Sequence, residues 1–248
     1  MTKLVLITGA SRGIGAATAR LAAAEGYAVA VNYSANSLAA DEVVRQIRAT
    51  GGQAMAVKAD VSNERQVMAM FESIDAKFGR LCALVNNAGI VDQTSRVDGI
   101  TLARLQRMFE VNVFGSFLCA REAVKRMSTR YGGAGGVIVN VSSAASRLGS
   151  PGQYVDYASA KGAIDTFTIG LAKEVAAEGI RVNAVRPGIV DTDIHASGGL
   201  PHRVRDVAPQ VPMQRAGTAD EVAQSIVWLL GEGASYTTGA LLDVAGGR

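Results

Sequence analysis

The chain has 248 residues, of which 48% are hydrophobic and 19% charged, so it can bury a full core and is not intrinsically disordered. Lysine and arginine number 25 against 22 acidic residues, which gives a net charge of +3. This charge is small and scattered, and no basic run is interleaved with aromatic residues. We therefore expect a folded globular protein that does not bind nucleic acid.

The two cysteines, Cys82 and Cys119, are too few for a disulfide framework. Both lie in apolar stretches without metal-ligand spacing, and both histidines stand elsewhere, so we expect buried free thiols and no metal site. The apolar run Leu4–Ile7 is too short for a signal peptide or a membrane span. These features predict a soluble, cytoplasmic protein without membrane contact.

Short β-branched runs alternate with longer helical patterns along the whole chain. The predicted strands, which are mostly apolar on both faces, are Leu4–Ile7, Ala28–Val31, Ala54–Lys58, Ala83–Val85, Val137–Val141, Arg181–Val185 and Leu241–Val244. The predicted helices are Ile14–Glu25, Leu38–Thr50, Glu64–Phe78, Leu102–Met127, Tyr157–Ala177 and Ala219–Leu230. A capping-box spacing begins at Thr218, and Gly26 and Gly179 stand where two helices should end.

This alternation predicts an α/β fold, a Rossmann-type doubly wound parallel sheet of about seven strands with helices on both faces. No linker divides the chain, so residues 1–248 are expected to form a single domain. Residues 193–211 follow the sixth strand and contain Gly198-Gly199 and two prolines, which is typical of a mobile substrate lid. His195 and His202 lie in this segment and are expected to be solvated rather than to contact substrate.

A glycine-rich loop, TGASRGIG at residues 8–15, lies between the first predicted strand and the first helix. Gly9 permits a tight turn, Gly13 lets the backbone approach a pyrophosphate, and Gly15 lets the helix pack close to the sheet. The helix start supplies free N–H groups and a positive dipole. This context favours a dinucleotide site over an ordinary turn. The predicted contacts are Gly9, Ser11, Arg12, Gly13, Ile14 and Gly15.

The end of the second strand indicates which dinucleotide is bound. NAD-selective enzymes place an acid there for the ribose 2′-hydroxyl, whereas no acid occurs between Glu25 and Asp41. Arg12 is suited to a 2′-phosphate, and Asn32 and Ser34 could hydrogen-bond it. The sequence therefore favours NADP over NAD, with a solvated Arg12 as the alternative.

Three further motifs follow predicted strands, at the edge where open α/β sheets bind ligands. They are Asp60-Val61, then Asn86-Asn87-Ala88-Gly89, then Pro187-Gly188-Ile189-Val190-Asp191-Thr192. Asp60 has an alternative role at the entry of the next helix, close to Ser62. The N-N-A-G tetrapeptide by itself would indicate only a turn, and its place after the fourth strand gives it more weight.

Tyr157 and Lys161 are four residues apart on a predicted helix and therefore share one face. A free tyrosine with a pKa near 10 is a poor base at neutral pH, and a nearby ammonium together with a cationic oxidised nicotinamide stabilises the phenolate and lowers that pKa. Tyr157 could then take a proton from an alcohol or give one to a nascent alkoxide. In isolation such a pair is more often an ordinary pair on a helix surface.

Together, in this order, these motifs resemble the short-chain dehydrogenase/reductase family from Lys3 to about Gly246. More finely, the chain is similar to the bacterial glucose 1-dehydrogenase-like and 3-oxoacyl-[acyl-carrier-protein] reductase-like branch. The resemblance implies an NADP(H)-dependent oxidoreductase that transfers hydride between the nicotinamide and a carbonyl or secondary alcohol, with tyrosine as acid and base. It also implies a small-molecule substrate and a homotetramer, or a homodimer.

The resemblance implies that Asp60 contacts the adenine ring and that small residues such as Ala88 leave room for the adenine ribose. It also implies that the Ile189 backbone contacts the nicotinamide carboxamide. Thr192 would contact that amide or the pyrophosphate, and Lys161 the ribose hydroxyls. The implied cofactor contacts are Asp60, Val61, Asn86, Ala88, Gly89, Tyr157, Lys161, Pro187, Gly188, Ile189 and Thr192.

The implied catalytic set is Asn112, Ser143, Tyr157 and Lys161. Ser143 would hydrogen-bond the substrate oxygen, although it stands one residue further from Tyr157 than is usual in the family. Its neighbour Ser142 is expected to be structural. Asn112 would hold a water that links Lys161 to solvent, with a hydrogen bond along its own helix as the alternative. Tyr154 is set aside because no lysine follows it by four.

Two other functions stay open at this point. One is an NAD-dependent sugar or alcohol dehydrogenase that uses the same site. The other is a non-catalytic NADP-binding sensor built on the same fold. Neither the motifs nor the resemblance identifies the substrate, the stereochemistry or the physiological direction of the reaction.

Overall fold

The computed structural model describes residues 3–194 and 198–248. Its strands form one parallel sheet in the order β3-β2-β1-β4-β5-β6-β7. They are β1 (Lys3–Ile7), β2 (Tyr27–Tyr33), β3 (Ala54–Lys58), β4 (Ala83–Asn86), β5 (Gly136–Val141), β6 (Ile180–Pro187) and β7 (Leu241–Val244). The strand order reverses between β1 and β4, which creates the switch point where such sheets bind ligands. The predicted parallel sheet is confirmed.

Helices pack on both faces of the sheet. They are α1 (Gly13–Ala24), α2 (Ser37–Ala49), α3 (Glu64–Phe78), α4 (Leu102–Phe109), α5 (Gly115–Met127), α6 (Ala145–Leu148), α7 (Val155–Val175), α8 (Arg203–Val207) and α9 (Ala219–Leu230). Successive side chains of a strand point to opposite faces, so Val5 and Ile7 enter one core and Leu4 and Leu6 the other. This arrangement confirms the doubly wound α/β fold.

Two of the predicted helix boundaries can be checked in detail. Thr218 accepts a hydrogen bond from the Glu221 N–H, and the Glu221 side chain accepts one from the Thr218 N–H, which completes the predicted capping box at α9. The helix that contains Tyr157 continues past α7 into a short 3-10 turn. It ends at Gly179, whose φ of 79° lies in the left-handed region that glycine tolerates best.

The long helix predicted over Leu102–Met127 is present, but it is not uniform. A π-helical turn, Glu110–Phe114, stands between α4 and α5 and adds one residue to the helical ladder. Asn112 lies in this turn and is fully buried. Apolar periodicity does not distinguish a π-turn from a continuous α-helix, which is why the sequence predicts one uninterrupted element.

The two cysteines are free thiols, with Cys119 fully buried and Cys82 half-buried. Burial raises the pKa of Cys119 to about 12, so this thiol is unreactive at neutral pH. Within residues 3–194 and 198–248, no cluster of three or more His, Cys, Asp or Glu side chains is arranged to hold a metal ion. None of the described helices is both long and apolar enough to cross a membrane.

Candidate active site

The glycine loop packs directly against the N-N-A-G segment that follows β4. A Cβ atom placed on Gly9 would lie 2.9 Å from the Cα of Ala88. On Gly15 it would lie 2.5 Å from the Asn87 side-chain nitrogen and 2.6 Å from the Gly9 carbonyl oxygen. Any side chain at these two glycines would therefore push the loop away from β4.

Short polar side chains fix this contact. The Thr8 hydroxyl accepts hydrogen bonds from the N–H groups of Asn87 and Ala88, each at 3.0 Å. In return, the Asn87 amide donates to the carbonyls of Thr8 and Gly9 at 2.8 and 3.0 Å. The two loops at the switch point thus form one hydrogen-bonded unit, as expected if the asparagine amides of the N-N-A-G segment hold the strand ends together.

The start of α1 differs from the starts of α2, α3 and α9. Side chains of Asn36, Asn63 and Thr218 cap α2, α3 and α9. At α1 the N-cap residue is Arg12, and neither its side chain nor an acid in the first turn satisfies the helix N–H groups. An uncapped helix start beside a glycine loop is suited to an anion such as a pyrophosphate, so these residues fit a dinucleotide.

The predicted cofactor and catalytic residues lie mainly along two adjoining clefts at the carboxyl ends of the strands. The nucleotide cleft is lined by Gly9, Ser11, Arg12, Gly13, Ile14, Asn32, Ser34, Asp60, Val61, Ala88, Gly89 and Thr192. The reaction cleft is lined by Ile14, Gly89, Ser143, Tyr157, Lys161, Pro187, Gly188, Ile189 and Thr192. Because Ile14, Gly89 and Thr192 line both, the two clefts form one continuous groove.

Two predicted cofactor contacts need correction. The Asn32 side chain is 1% exposed, accepts from the Gly9 N–H, and donates to the carbonyls of Val57 and Ala59. It ties β2 to β3 and to the glycine loop, which leaves its amide no capacity for a 2′-phosphate. Asn86 is also buried, and its amide donates to Asn140 on β5, so its side chain joins strands instead of reaching the cofactor.

Arg12 and Ser34 are both exposed to the nucleotide cleft, beside the end of β2. Asp60 lies across this cleft, and one of its carboxylate oxygens accepts hydrogen bonds from the backbone N–H and the hydroxyl of Ser62. This oxygen therefore has the helix-entry role named as the alternative. The helix cap itself is the next residue, Asn63.

Ser143, Tyr157 and Lys161 converge in the reaction cleft. Ser143, which follows β5, lies beside the Tyr157 phenol and acts to lower its pKa. The Lys161 ammonium lies 5.6 Å from the centroid of the Tyr157 ring and donates to the Val141 carbonyl at 2.7 Å. Ser142 is 2% exposed and donates to the Lys161 carbonyl, a structural contact as expected.

Burial controls the ionisation of this pair. It raises the pKa of Tyr157 to about 12, and Ser143 acts in the opposite direction. It lowers the pKa of Lys161 to about 8, against the attraction of Asp165. In the chain without cofactor desolvation prevails, and the phenol keeps its proton at neutral pH. The expectation of a lowered tyrosine pKa stays a prediction, because it concerns the complex with an oxidised nicotinamide.

Asn112 lies in the π-turn and forms hydrogen bonds with the segment that follows β4. Its side-chain oxygen accepts from the Ile90 N–H, and its nitrogen donates to the carbonyls of Ile90 and Met108. A Cβ atom on Gly89 would lie 2.8 Å from the Asn112 oxygen and 3.6 Å from the Lys161 nitrogen. Because Gly89 has no side chain, the space next to it is bordered by both the Asn112 oxygen and the Lys161 nitrogen. The Met108 bond is the helix-side contact named as the alternative.

Tyr154, which sequence reasoning set aside, organises the outer end of the reaction cleft. Its ring is buried, its hydroxyl donates to the Gly198 carbonyl, and the Arg203 guanidinium lies 5.2 Å over the ring. Arg203 also donates to the Gln153 side chain at 2.5 Å. Tyr154 therefore anchors described parts of the predicted lid. His195 lies outside the described residues, and His202 is exposed.

A buried ion pair fixes the start of α7. Arg104 of α4 donates to both Asp156 carboxylate oxygens, at 2.7 and 3.2 Å, and the Asp156 side chain has 0% exposure. A third N–H of Arg104 donates to the Gln93 carbonyl. Asp156 immediately precedes Tyr157, so this pair sets where the phenol lies. Nothing in the sequence pattern connects these residues, which are 52 positions apart.

Known proteins that are similar in sequence indicate the family to which this chain belongs. A family model described as enoyl-(acyl carrier protein) reductase matches residues 9–248. An uncharacterized oxidoreductase of Escherichia coli K12, YgfF, is 60% identical over 99% of both chains. A 3-oxoacyl-[acyl-carrier-protein] reductase of Synechocystis is 40% identical, and a cis-4-hydroxycyclohexanecarboxylate dehydrogenase of Sinomonas cyclohexanicum is 41% identical, each over 99% of this chain and 96% of the relative.

Three features define an α/β oxidoreductase that uses a nicotinamide dinucleotide. They are the doubly wound sheet, the uncapped helix start after the glycine loop, and the cluster of Ser143, Tyr157 and Lys161. The chain belongs to the short-chain dehydrogenase/reductase family, in the branch that includes 3-oxoacyl-[acyl-carrier-protein] reductases. It is therefore an NAD(P)-dependent short-chain dehydrogenase/reductase.

Proposed function

We propose that this protein is an NADP(H)-dependent oxidoreductase that interconverts a carbonyl compound and a secondary alcohol, with Tyr157 as the acid and base. The observation that carries the proposal is the convergence of Ser143, Tyr157 and Lys161 in the cleft that adjoins the glycine loop. When bound, the reduced cofactor supplies the hydride. The balanced reaction is carbonyl plus NADPH plus one proton, giving alcohol plus NADP⁺.

The protonation state of the pair supports this assignment. The Tyr157 phenol is protonated at neutral pH, as a free tyrosine is, and burial raises its pKa further, to about 12. Tyr157 lines the cleft, where it can donate this proton to the oxygen of a reacting carbonyl. Ser143 lies beside the phenol and is placed to stabilise charge on the same oxygen. Lys161 lies below the tyrosine ring as the nearby cation.

The preference for NADP rests on charge at the nucleotide cleft. Arg12 and Ser34 lie exposed where β2 ends, and the chain has no acid there. A guanidinium offers several N–H donors in a fork that matches a phosphate. The alternative is an NAD-dependent sugar or alcohol dehydrogenase that uses the same catalytic residues.

Fluorescence titration with NADPH and NADH tests this preference. We expect wild type to prefer NADPH, and Arg12→Ala to weaken NADPH binding by about 10- to 100-fold without changing NADH binding. Arg20→Ala is the matched control, because Arg20 lies on the same helix but bonds Gln46 away from the cleft. Equal affinities in wild type would favour NAD, and failure to bind either would favour a degenerate, non-catalytic fold.

Turnover is then measured with a panel of ketones and alcohols through the absorbance of the reduced cofactor at about 340 nm, where only the reduced nicotinamide absorbs. Cofactor binding without any absorbance change would favour the sensor, or a reaction with no net redox change. A signal that requires Tyr157 would support the proposed oxidoreductase.

We also propose that the chain forms one domain with residues 193–211 as its lid, acts in the cytoplasm, and assembles as a homotetramer or homodimer. The assembly is supported by aromatic side chains left exposed on and beside α5, including Phe114 at 54% and Phe117 at 46%. Phe117 stacks on Phe167 of α7, so the two helices present a shared apolar surface. Light scattering of the purified protein measures the oligomeric state.

A further inference from the structure

The charge of the reaction cleft is one-sided. Its charged lining residues are Lys161, Arg203 and Arg248, and no aspartate or glutamate is among the described residues that line it. Apolar side chains such as Val91, Leu148 and Ile189 make up much of the remaining wall. Lys161 belongs to the catalytic cluster. Among the described residues, Arg203 is thus left at the outer end without a carboxylate partner.

Arg203 is held in place by groups that do not neutralise it. Its guanidinium lies over the Tyr154 ring and donates to the Gln153 side chain, and both of these partners are uncharged. Burial lowers the pKa of Arg203, and the nearby Arg248 acts in the same direction. By contrast, Arg104, Arg126 and Arg186 are also largely buried, and each pairs with a carboxylate.

A half-buried guanidinium without a carboxylate partner attracts an anion, and its fork of N–H groups matches a carboxylate. Arg203, Tyr154 and Tyr157 all line the reaction cleft. An anion on Arg203 would therefore lie near the reacting carbon, with the apolar wall available for the body of the substrate.

We propose that Arg203 binds a carboxylate of the substrate, so that the substrate class is an oxo acid or hydroxy acid with an apolar body. Arg248 adds to the positive potential at the same end. This inference rests on the proposed function, because it takes the reacting carbonyl to lie at Tyr157.

Matched pairs of acids and neutral esters test the inference. The probes are 4-oxocyclohexanecarboxylate and 4-oxopentanoate, each with its methyl ester. For each we measure kcat/KM with NADPH, and separately the Kd of the acid for the NADP⁺ complex by calorimetry. The variants are Arg203→Gln, Arg203→Lys and the control Arg205→Gln. Arg205 lies on the same helix but is 76% exposed and pairs with Asp206.

We expect wild type to prefer each acid over its ester by about 10- to 100-fold. Arg203→Gln should remove that preference and weaken acid binding, so that kcat/KM falls much further for the acids than for the esters. Arg203→Lys should retain part of the preference, and Arg205→Gln all of it. Thermal denaturation checks that each variant is folded.

Equal turnover of acids and esters, or an unchanged preference in Arg203→Gln, would overturn the inference and leave the proposed function intact. If no probe is turned over but the acids bind and Arg203→Gln abolishes that binding, the inference holds and the proposed reaction fails for these compounds. If the acids neither react nor bind, the carboxylate site is refuted.

Discussion

The two ends of the groove are built in different ways. At the nucleotide end, backbone groups and short side chains are bonded across neighbouring strands, as Thr8 is to Asn87 and Asn32 to Gly9. At the substrate end, long side chains hold one loop to another, as Tyr154 holds Gly198 and Arg203 holds Gln153. The cofactor end therefore depends on close backbone packing, whereas the substrate end depends on a few side-chain contacts.

Removal of the Tyr157 hydroxyl, where the two ends meet, should have the largest effect. We expect Tyr157→Phe to lower kcat by about 10²- to 10⁴-fold, because the proton donor is lost, with little change in NADPH affinity. Steady-state kinetics and fluorescence titration measure the two quantities. The control is Tyr154→Phe, which loses only the bond to Gly198 and should change KM more than kcat. Comparable kcat in both variants would contradict the assignment.

Removal of one charge from the buried ion pair tests how far the substrate end depends on a single contact. We expect Asp156→Asn to lower the free energy of unfolding by about 3–5 kcal/mol, because Arg104 is left buried without its partner. Urea denaturation measures the change. Asp98→Asn, in a pair whose side chains are 79% and 70% exposed, is the control and should cost less than about 1 kcal/mol.

A methyl group at Gly15 tests the close packing of the nucleotide end. Gly15→Ala should lower the free energy of unfolding by about 1–3 kcal/mol, because the added Cβ overlaps Asn87 and the Gly9 carbonyl. It should also weaken cofactor binding, since the loop must move. Gly170→Ala is the control, at an exposed helical position with no atom within 4 Å of the new Cβ. Equal stability of the two variants would disprove the close-packing argument.

The smallest expected effect concerns Lys161 and pH. Its folded pKa of about 8 lies below the usual 10.5, so the folded state binds fewer protons than the unfolded state between these values. Burial of the charge therefore costs stability below pH 8, and the cost diminishes as pH rises. Relative to Lys161→Met, wild type should gain about 1–2 kcal/mol between pH 8 and 9.5. Urea denaturation of both proteins across this range checks the sign, and a constant difference would contradict it.

The same contrast explains what could be predicted from the sequence. The strands are buried on both faces and therefore consist of apolar runs, so β3 and β7 begin and end where the sequence indicates. The glycine loop and the Tyr157–Lys161 pair are also local patterns, since their spacing along the chain fixes their spacing in space.

The remaining features depend on contacts between distant residues. Arg203 and Gln153 are 50 positions apart, and their bond follows from the path of a loop that no periodicity describes. Asn32 stands in a strand next to the cofactor loop, and only the register of β2 with β3 shows that its amide points into the protein. The pKa of Tyr157 in the chain without cofactor depends on its depth of burial, which the sequence does not show.

β1 is an interior strand of the sheet, and this position affects how long one of its edges stays unpaired during synthesis of the chain. One edge of β1 pairs with β2, but its other edge pairs with β4, whose residues begin at Ala83. At about 5–20 residues per second, the roughly 50 residues between the end of β2 and the end of β4 take on the order of 3–10 seconds to make. An unpaired apolar strand edge is a template for pairing with other chains. The nascent protein therefore carries an unpaired edge on β1 until the N-N-A-G segment has emerged from the ribosome.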